Sequence, residues 1–326
     1  MTLPKLLAVV ALFLFSLIGL IAIVKRGWSS GAGSSSGAVI AMQSPIEIEI
    51  EDDSQILIPA KDVQSDKPSV LRGRPAVEIA LPDADRIEEL FNKQGPNLPI
   101  VETVTYHSRV PWLKGRPAWL SDYASHYGTS RHFIARSLNG KADYAKQNLV
   151  EGDRFNVLSK DKNFEFYLVV DTSRCKMWFY YVDLDSNKAT LIKTYRVGLG
   201  RLDPSKTSGL LTPLGKYSLG DRVAIFKAKG TGMYQGKKIE MITVFGTRWI
   251  PFEGEIENCT APAKGFGIHG TPWTVTDEGN AVDEGPGLGK YESDGCIRLA
   301  TADIEELFSI IISRPTTIEI VRDFSE

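Results

Sequence analysis

Gly267-Ile268-His269-Gly270 and Glu292-Ser293-Asp294-Gly295-Cys296-Ile297-Arg298-Leu299 are the two stretches around which the C-terminal half of this sequence is organised. They contain the only histidine of that half, and a cysteine set between a glycine and an apolar residue. A cysteine and a histidine that meet in space form a thiol nucleophile: the imidazole takes the proton and the thiolate attacks a carbonyl. Directly after the cysteine, Thr301 is placed to cap a helix. Asp303 and Glu305 lie at its positive end, Ile304, Leu307, Phe308, Ile311 and Ile312 form its core face, and Pro315 follows its end. Such a helix would hold the cysteine loop rigidly against a sheet.

The sheet is legible around it. Phe164–Asp171 and Lys176–Val182 read as strands joined by a tight turn at Thr172-Ser173-Arg174, and Thr190–Val197, Ile239–Phe245 and Thr316–Val321 read as further strands. Short β-branched and aromatic runs between Gly, Pro, Asp and Asn turns predict a mainly β domain over 164–323, a sandwich or barrel-like sheet.

Upstream, Pro117–Gly128 has helical spacing of Trp119, Leu120, Tyr123, Ala124 and Tyr127. Pro117 suits the first turn and Gly128 the left-handed end. Thr129 is placed to cap a second helix carrying Phe133, Ile134 and Leu138, which Asn139-Gly140 breaks, and Asn148–Leu158 gives a turn and a short strand. His126 and His132 lie here without metal-ligand spacing.

The N-terminal third has another texture. Leu6–Val24 is nineteen residues without charge or proline, bounded by Lys5 and Lys25-Arg26. At about 1.5 Å per residue this matches a bilayer core of about 30 Å. Val39-Ile40-Ala41 resembles a cleavage site but stands well beyond the apolar run, so residues 1–28 read as an uncleaved membrane anchor. The flanking charges do not settle its orientation. Ser29–Gly37 is a flexible Ser/Gly linker, and Ile46–Glu51 alternates as an edge strand or extended tether. Asp85–Lys93 is a short amphipathic helix ended by Gly95-Pro96, and residues 29–110 together read as a stalk that provides reach.

Composition is globular: 326 residues, 43% apolar, 24% charged, net charge −2. No charge excess points to nucleic acid, and three cysteines are too few for a disulfide scaffold. Cys175 and Cys259 read as small buried residues, with a pairing between them as the alternative.

Two resemblances follow from these residues. The two helices followed by Leu149-x-x-Gly152-x-x-Phe155-x-Val157 resemble a LysM module over 111–160, with Lys114-Gly115-Arg116-Pro117 standing where that family begins its first strand. The resemblance implies a small α+β module that binds N-acetylglucosamine-containing glycan.

The ordered set Tyr195–Gly200, Thr212-Pro213-Leu214-Gly215-Lys216-Tyr217, Gly-Ile-His-Gly and Ser-x-Gly-Cys-Ile-Arg-Leu resembles the L,D-transpeptidase catalytic domain, the YkuD family, over about 164–322. His269 matches the family's first histidine, Ser293 its Ser/Thr, Gly295 its glycine, Cys296 its nucleophile and Arg298 its last position. Asp294 departs from the family's second histidine. A carboxylate there disfavours a thiolate, unless it holds His269 or Arg298 or recognises a substrate cation. The gap 270–292 is longer than the family's, and its acidic, glycine-rich part, 277–287, is either a mobile flap or a surface insertion.

The resemblance implies that His269 deprotonates Cys296, which attacks the carbonyl between residues three and four of a peptidoglycan stem peptide. The Gly295 and Cys296 N–H groups would hold the oxyanion. Ser293 would position the loop, and Arg298 would bind a substrate carboxylate or brace the loop. An amine of a second stem would resolve the thioester. Water as acceptor gives the alternative, an L,D-carboxypeptidase or cross-link hydrolase, and a decayed wall-binding scaffold is the third reading. No metal or organic cofactor is implied. The expected setting is a single-pass anchor in the cytoplasmic membrane, with the body facing the periplasm or wall, in cell-wall biogenesis and cell shape.

Overall fold

A computed structural model describes residues 81–140, 149–276, 278–285 and 287–325. The chain divides into two units, 1–41 and 42–326, and every described residue lies in the second. The anchor at 6–24, the linker at 29–37 and the alternating stretch at 46–51 lie outside the described residues, as do Asp277 and Pro286 of the acidic insertion. No helix among the described residues is long and apolar enough to cross a membrane.

Residues 81–110, read from sequence as the end of a stalk, are folded. Helix α1 (Glu88–Phe91) is shorter than the pattern suggests, and strand β1 (Val101–Thr105) follows it. Leu90, Leu98 and Ile100 are fully buried. Burying an aliphatic side chain contributes roughly 1.5–3 kcal/mol, so three of them hold this segment in the core. The interrupted apolar run conceals this because Leu90 packs from a one-turn helix and Leu98 and Ile100 from the loop after it.

After β1 come α2 (Leu120–Tyr127), α3 (Arg131–Asn139) and β2 (Arg154–Leu158). β1 and β2 pair antiparallel from Val101↔Leu158 to Thr105↔Arg154, giving a strand–helix–helix–strand unit. Its first strand therefore lies before Lys114-Gly115. Gly128 and Gly140 end the helices with φ of 57° and 74°, as expected. The starts differ. Pro117 precedes α2 without entering it, and Asp122 accepts the Trp119 N–H at 2.7 Å. Ser130 rather than Thr129 caps α3, accepting the Phe133 N–H at 2.9 Å. Its hydroxyl also donates to Ser309 O at 2.6 Å, which selects it over its neighbour.

The remaining strands are β3 (Phe164–Asp171), β4 (Lys176–Asp183), β5 (Lys188–Arg196), β6 (Leu199–Gly200), β7 (Gly215–Leu219), β8 (Ala224–Ile225), β9 (Thr231–Tyr234) and β10 (Lys237–Glu240). The short helix α4 (Ile242–Phe245) follows. Then come β11 (Arg248–Glu257), β12 (Gly267–Gly270), β13 (Thr274–Val275), β14 (Ala281–Val282), β15 (Tyr291–Ser293), β16 (Ile297–Leu299), helix α5 (Thr301–Ile311) and β17 (Thr316–Val321). The predicted strand at 239–245 is thus half strand and half helix. Gly246, at φ 60°, ends the helix where a Cβ would strike the backbone of Gly270 and Thr271.

The domain is mainly β, as expected, and nine of the described strands are joined in one hydrogen-bonded sheet. Its order is β16-β12-β11-β7-β17-β3-β4-β5, with β8 beside β11. β11 makes the continuity: its first residues pair with β12, and its later ones pair with β7 across two register shifts. A strand with such irregularities bends and re-aims its neighbours. Thr301 begins α5 without capping it. Ala300 is the N-cap residue, and the Thr301 hydroxyl instead accepts Trp273 Nε1–H at 3.2 Å. Ile304, Leu307, Phe308 and Ile311 are buried as expected. α5 also meets α3, and Phe133, Leu158 and Leu98 share one apolar cluster with Phe166, Phe179, Ile268 and Ile311.

Candidate active site

The site rests on a parallel pair. β12 and β16 align Ile268↔Ile297, His269↔Arg298 and Gly270↔Leu299. Residues paired in a sheet point to the same face, and alternate residues to opposite faces. Ile268, Ile297 and Leu299 are fully buried toward the core, and a Cβ on Gly270 would sit 3.2 Å from Ile304 of α5. His269 and Arg298 therefore share the other face. Cys296, directly before β16 and in phase with Arg298, joins them. The Gly267 N–H, opposite it in register, acts to lower the pKa of the Cys296 thiol.

His269 is buried. Its Nδ1 lies 2.7 Å from Gly270 O. A carbonyl only accepts, so Nδ1 carries the proton of the neutral ring and Nε2 keeps the lone pair. Gly270 O is thus the orienting group that spacing alone does not identify. Phe245 packs edge-on to the ring with centroids 5.4 Å apart, and Trp249, paired with His269 across β11, lies 6.1 Å away. Burial among these groups lowers the His269 pKa to about 4, against the Gly270 and Phe245 carbonyls, which favour the cation.

Cys296 is half-buried, with Sγ 3.7 Å from Gly265 O. Burial pushes its thiol up to about 12, the Gly267 N–H and Arg298 pull it down, and Asp294 adds to the rise. At rest both groups are therefore neutral, a thiol and an imidazole on the same face of the β12–β16 pair.

Ser293, almost wholly buried, staples the cysteine turn. Its hydroxyl donates to Cys296 O at 2.6 Å and accepts the Gly295 N–H at 3.1 Å. The Gly295 N–H, expected as an oxyanion donor, is thereby engaged. Gly295 itself is obligatory: its φ is +119°, and a Cβ would lie 2.6 Å from the Phe266 ring and 2.8 Å from Leu211 O.

Asp294 holds neither His269 nor Arg298. It is exposed and pairs with Arg201 at 2.7 Å, a residue no motif marks. The loop after β6 brings Arg201 there: its N–H donates to Ser293 O at 2.9 Å, and Leu211 N–H donates to its carbonyl at 2.8 Å. Arg298 is half-buried, and burial lowers its pKa. Among the described residues at the acidic insertion, β14 pairs with β13, Thr271 Oγ1–H donates to Asp283 at 3.0 Å and Thr274 Oγ1–H donates to Glu284 at 3.0 Å. Cys175 and Cys259 are both free. No cluster of three or more His, Cys, Asp or Glu among the described residues is arranged to hold a metal ion.

Residues 165–320 match the YkuD family, the L,D-transpeptidase catalytic domain, so the C-terminal part of the chain carries a YkuD domain. No curated protein matches the chain. Solved structures similar to it include the helical cell shape determining protein Pgp2 from Campylobacter jejuni, at 17% identity over 50% of this chain and 49% of that one, with a TM-score of 0.33. Bd1075 from Bdellovibrio bacteriovorus is similar at 17% identity over 49% of each chain, with a TM-score of 0.34. The chain spans about half the length of these proteins.

Proposed function

We propose that the protein is a cell-wall L,D-transpeptidase that cross-links peptidoglycan stem peptides through a Cys296 thioester. The observation that carries this is the β12–β16 register, which brings His269 and Cys296 to one face inside the segment that matches the YkuD domain. With both groups neutral at rest, His269 Nε2 takes the thiol proton as sulfur attacks the donor carbonyl. The Gly267 N–H steadies the developing thiolate. The Cys296 N–H, in the turn stapled by Ser293, serves the oxyanion, a role for which fixed amides are suited. The terminal D-amino acid leaves with the proton from His269. An amine of a second stem then attacks the thioester.

The strand–helix–helix–strand unit supports the reading of a LysM-like glycan-binding module beside the catalytic domain. The apolar run Leu6–Val24 supports an anchor in the cytoplasmic membrane with the body outside, since mature wall lies only there. A reporter fused to the C-terminus tests that orientation. The activity is tested by mass spectrometry of products formed from tetrapeptide stems. Dimers that have lost one terminal residue are expected, Cys296→Ala is expected to form none, and cross-linking by that variant overturns the mechanism. Tripeptide monomers alone would mean that water is the acceptor.

A further inference from the structure

Residues 222–239 hold five cations, Arg222, Lys227, Lys229, Lys237 and Lys238, and no acid, in a chain with 40 acids and 38 cations. All five are exposed, and none makes a side-chain hydrogen bond or ion pair among the described residues. Protein surfaces ordinarily intersperse the two signs, as Arg116 with Asp122 and Lys216 with Glu257 do here. A run of one sign sets up a local field that draws the opposite charge.

The fold carries this run to the mouth of the site. β9 and β10 pair as a hairpin whose turn residues, Gln235 and Gly236, have φ of 47° and 72°, the left-handed pair that a tight two-residue turn requires. Lys227 and Lys229 lie at the base of the hairpin, where Lys227 O accepts the Gly230 N–H and Glu240 accepts the Lys229 N–H at 3.1 Å. Lys237 and Lys238 lie at its tip, about 10 Å away at ~3.3 Å per residue. Tyr234 and Lys237 are partners across the ladder, so their side chains share a face. Tyr234 turns that face toward the catalytic histidine. Its ring meets Phe245 edge-on with centroids 5.4 Å apart, and Phe245 meets His269 at 5.4 Å. Burial raises the Tyr234 pKa, Asp294 and Cys296 add to the rise, and Arg298 opposes it. Lys237 therefore stands at the rim of the site, an ammonium that no acid among the described residues meets.

We propose that Lys237 binds a side carboxylate of the stem peptide and that the neighbouring cations guide acidic stems to Cys296, so that the enzyme favours stems whose side carboxyls are free over stems in which they are amidated. This rests on the transpeptidase reading above. An ammonium on a flexible chain suits a carboxylate arriving at an exposed rim, where the pair forms in water and is weakened by salt.

The test uses the full-length protein and two tetrapeptide stems that share a free C-terminal carboxylate, one with free side carboxylates and one with side carboxamides. It reads kcat/KM for acylation of Cys296. At low ionic strength the unmodified protein is expected to favour the acidic stem about 10-fold, and added salt is expected to bring that ratio toward one. Lys237→Gln is expected to lower the ratio by about 3- to 5-fold, the scale of one exposed ion pair. Replacing Lys227, Lys229, Lys237 and Lys238 together by Gln is expected to bring it to about one. Both variants are expected to keep the rate on the carboxamide stem, which reports an intact fold and an intact thiol. A ratio that survives both substitutions overturns the proposal, as does an unmodified protein that treats the two stems alike. Inhibition by a phosphodiester polymer that the four-lysine variant escapes, with no preference between the stems, would assign the cations to that polymer and overturn the proposal too. Acylation by neither stem would instead overturn the transpeptidase reading.

Discussion

The neutral resting pair has a measurable consequence for the reactivity of Cys296. With its thiol pushed up to about 12 from an ordinary 9.0, the thiolate fraction at pH 7 is about one in 100,000 instead of about one in 100, a ~1000-fold deficit. A more basic thiolate is a better nucleophile. With a Brønsted coefficient of about 0.45, three units return a factor of ~20, so alkylation should be about 50-fold slower than at an unperturbed exposed cysteine. The assay is the second-order rate of iodoacetamide alkylation from pH 5 to 10, followed on the Cys296 peptide by mass spectrometry to exclude Cys259. The logarithm of the rate is expected to climb with unit slope over this range. His269→Gln should leave the profile nearly unchanged, because no imidazolium stabilises the thiolate at rest, yet under the proposed mechanism, in which His269 is the base, it should abolish acylation by stem peptides. A plateau reached below pH 7 would mean a preformed thiolate–imidazolium pair and would refute this account of activation.

Three further outcomes follow from the same geometry. Gly295→Ala forces a side chain into a backbone conformation at φ +119° against Phe266 and Leu211; it should destabilise by about 1–3 kcal/mol in urea unfolding and slow acylation ~100-fold by displacing the sulfur. Acid should destabilise the protein through His269. From its ordinary 6.5 down to about 4 the unfolded chain binds a proton that the native one does not, so stability present above pH 6.5 is lost as pH falls through 4, by about 3 kcal/mol, and a His269→Gln profile parallel to the unmodified one would contradict this. Ser130→Ala removes the α3 cap and the bond to Ser309; about 2 kcal/mol is expected in urea unfolding, and an unchanged midpoint would show that the contact between α3 and α5 is not needed.

What the sequence discloses here is whatever depends on local periodicity or on a motif of fixed order. The strands from Phe164 to Arg196, β17, the core face of α5 and the glycine ends of α2 and α3 all follow from alternation, helical spacing or the left-handed preference of glycine. His269 and Cys296 were marked by residue type and order, and the parallel register then explains why they share a face. What was hidden depends on partners distant in sequence. β1 is five residues of mixed character that become a strand only because β2, about fifty residues later, pairs with them. Ser130 outcompetes Thr129 as a cap because Ser309 lies opposite it. Arg201 carries no motif, and its pairing with Asp294 exists only because the loop after β6 hangs on Ser293 O.

The buried contacts also revise how the parts of this chain act together. A helical unit joined to a catalytic domain by a short connection, as the sequence suggests, would move independently of it. Here Phe133 of α3 and Leu158 of β2 enter the same apolar cluster as the catalytic sheet. Ser130 bonds Ser309, Arg314 Nη2 donates to Ser159 O at 3.2 Å, and Lys93 Nζ donates to Leu138 O at 2.7 Å. The segment before α1 is held too. Arg86 N–H donates to Ile192 O and Thr194 N–H to Ala84 O along the edge of β5, while Lys193 gathers Asp85, Asp303 and Glu306. Domain motion requires an interface that can open with little loss, and a shared apolar core is the opposite of that. Under the proposed function, a glycan held by the module therefore sits at a fixed distance from Cys296.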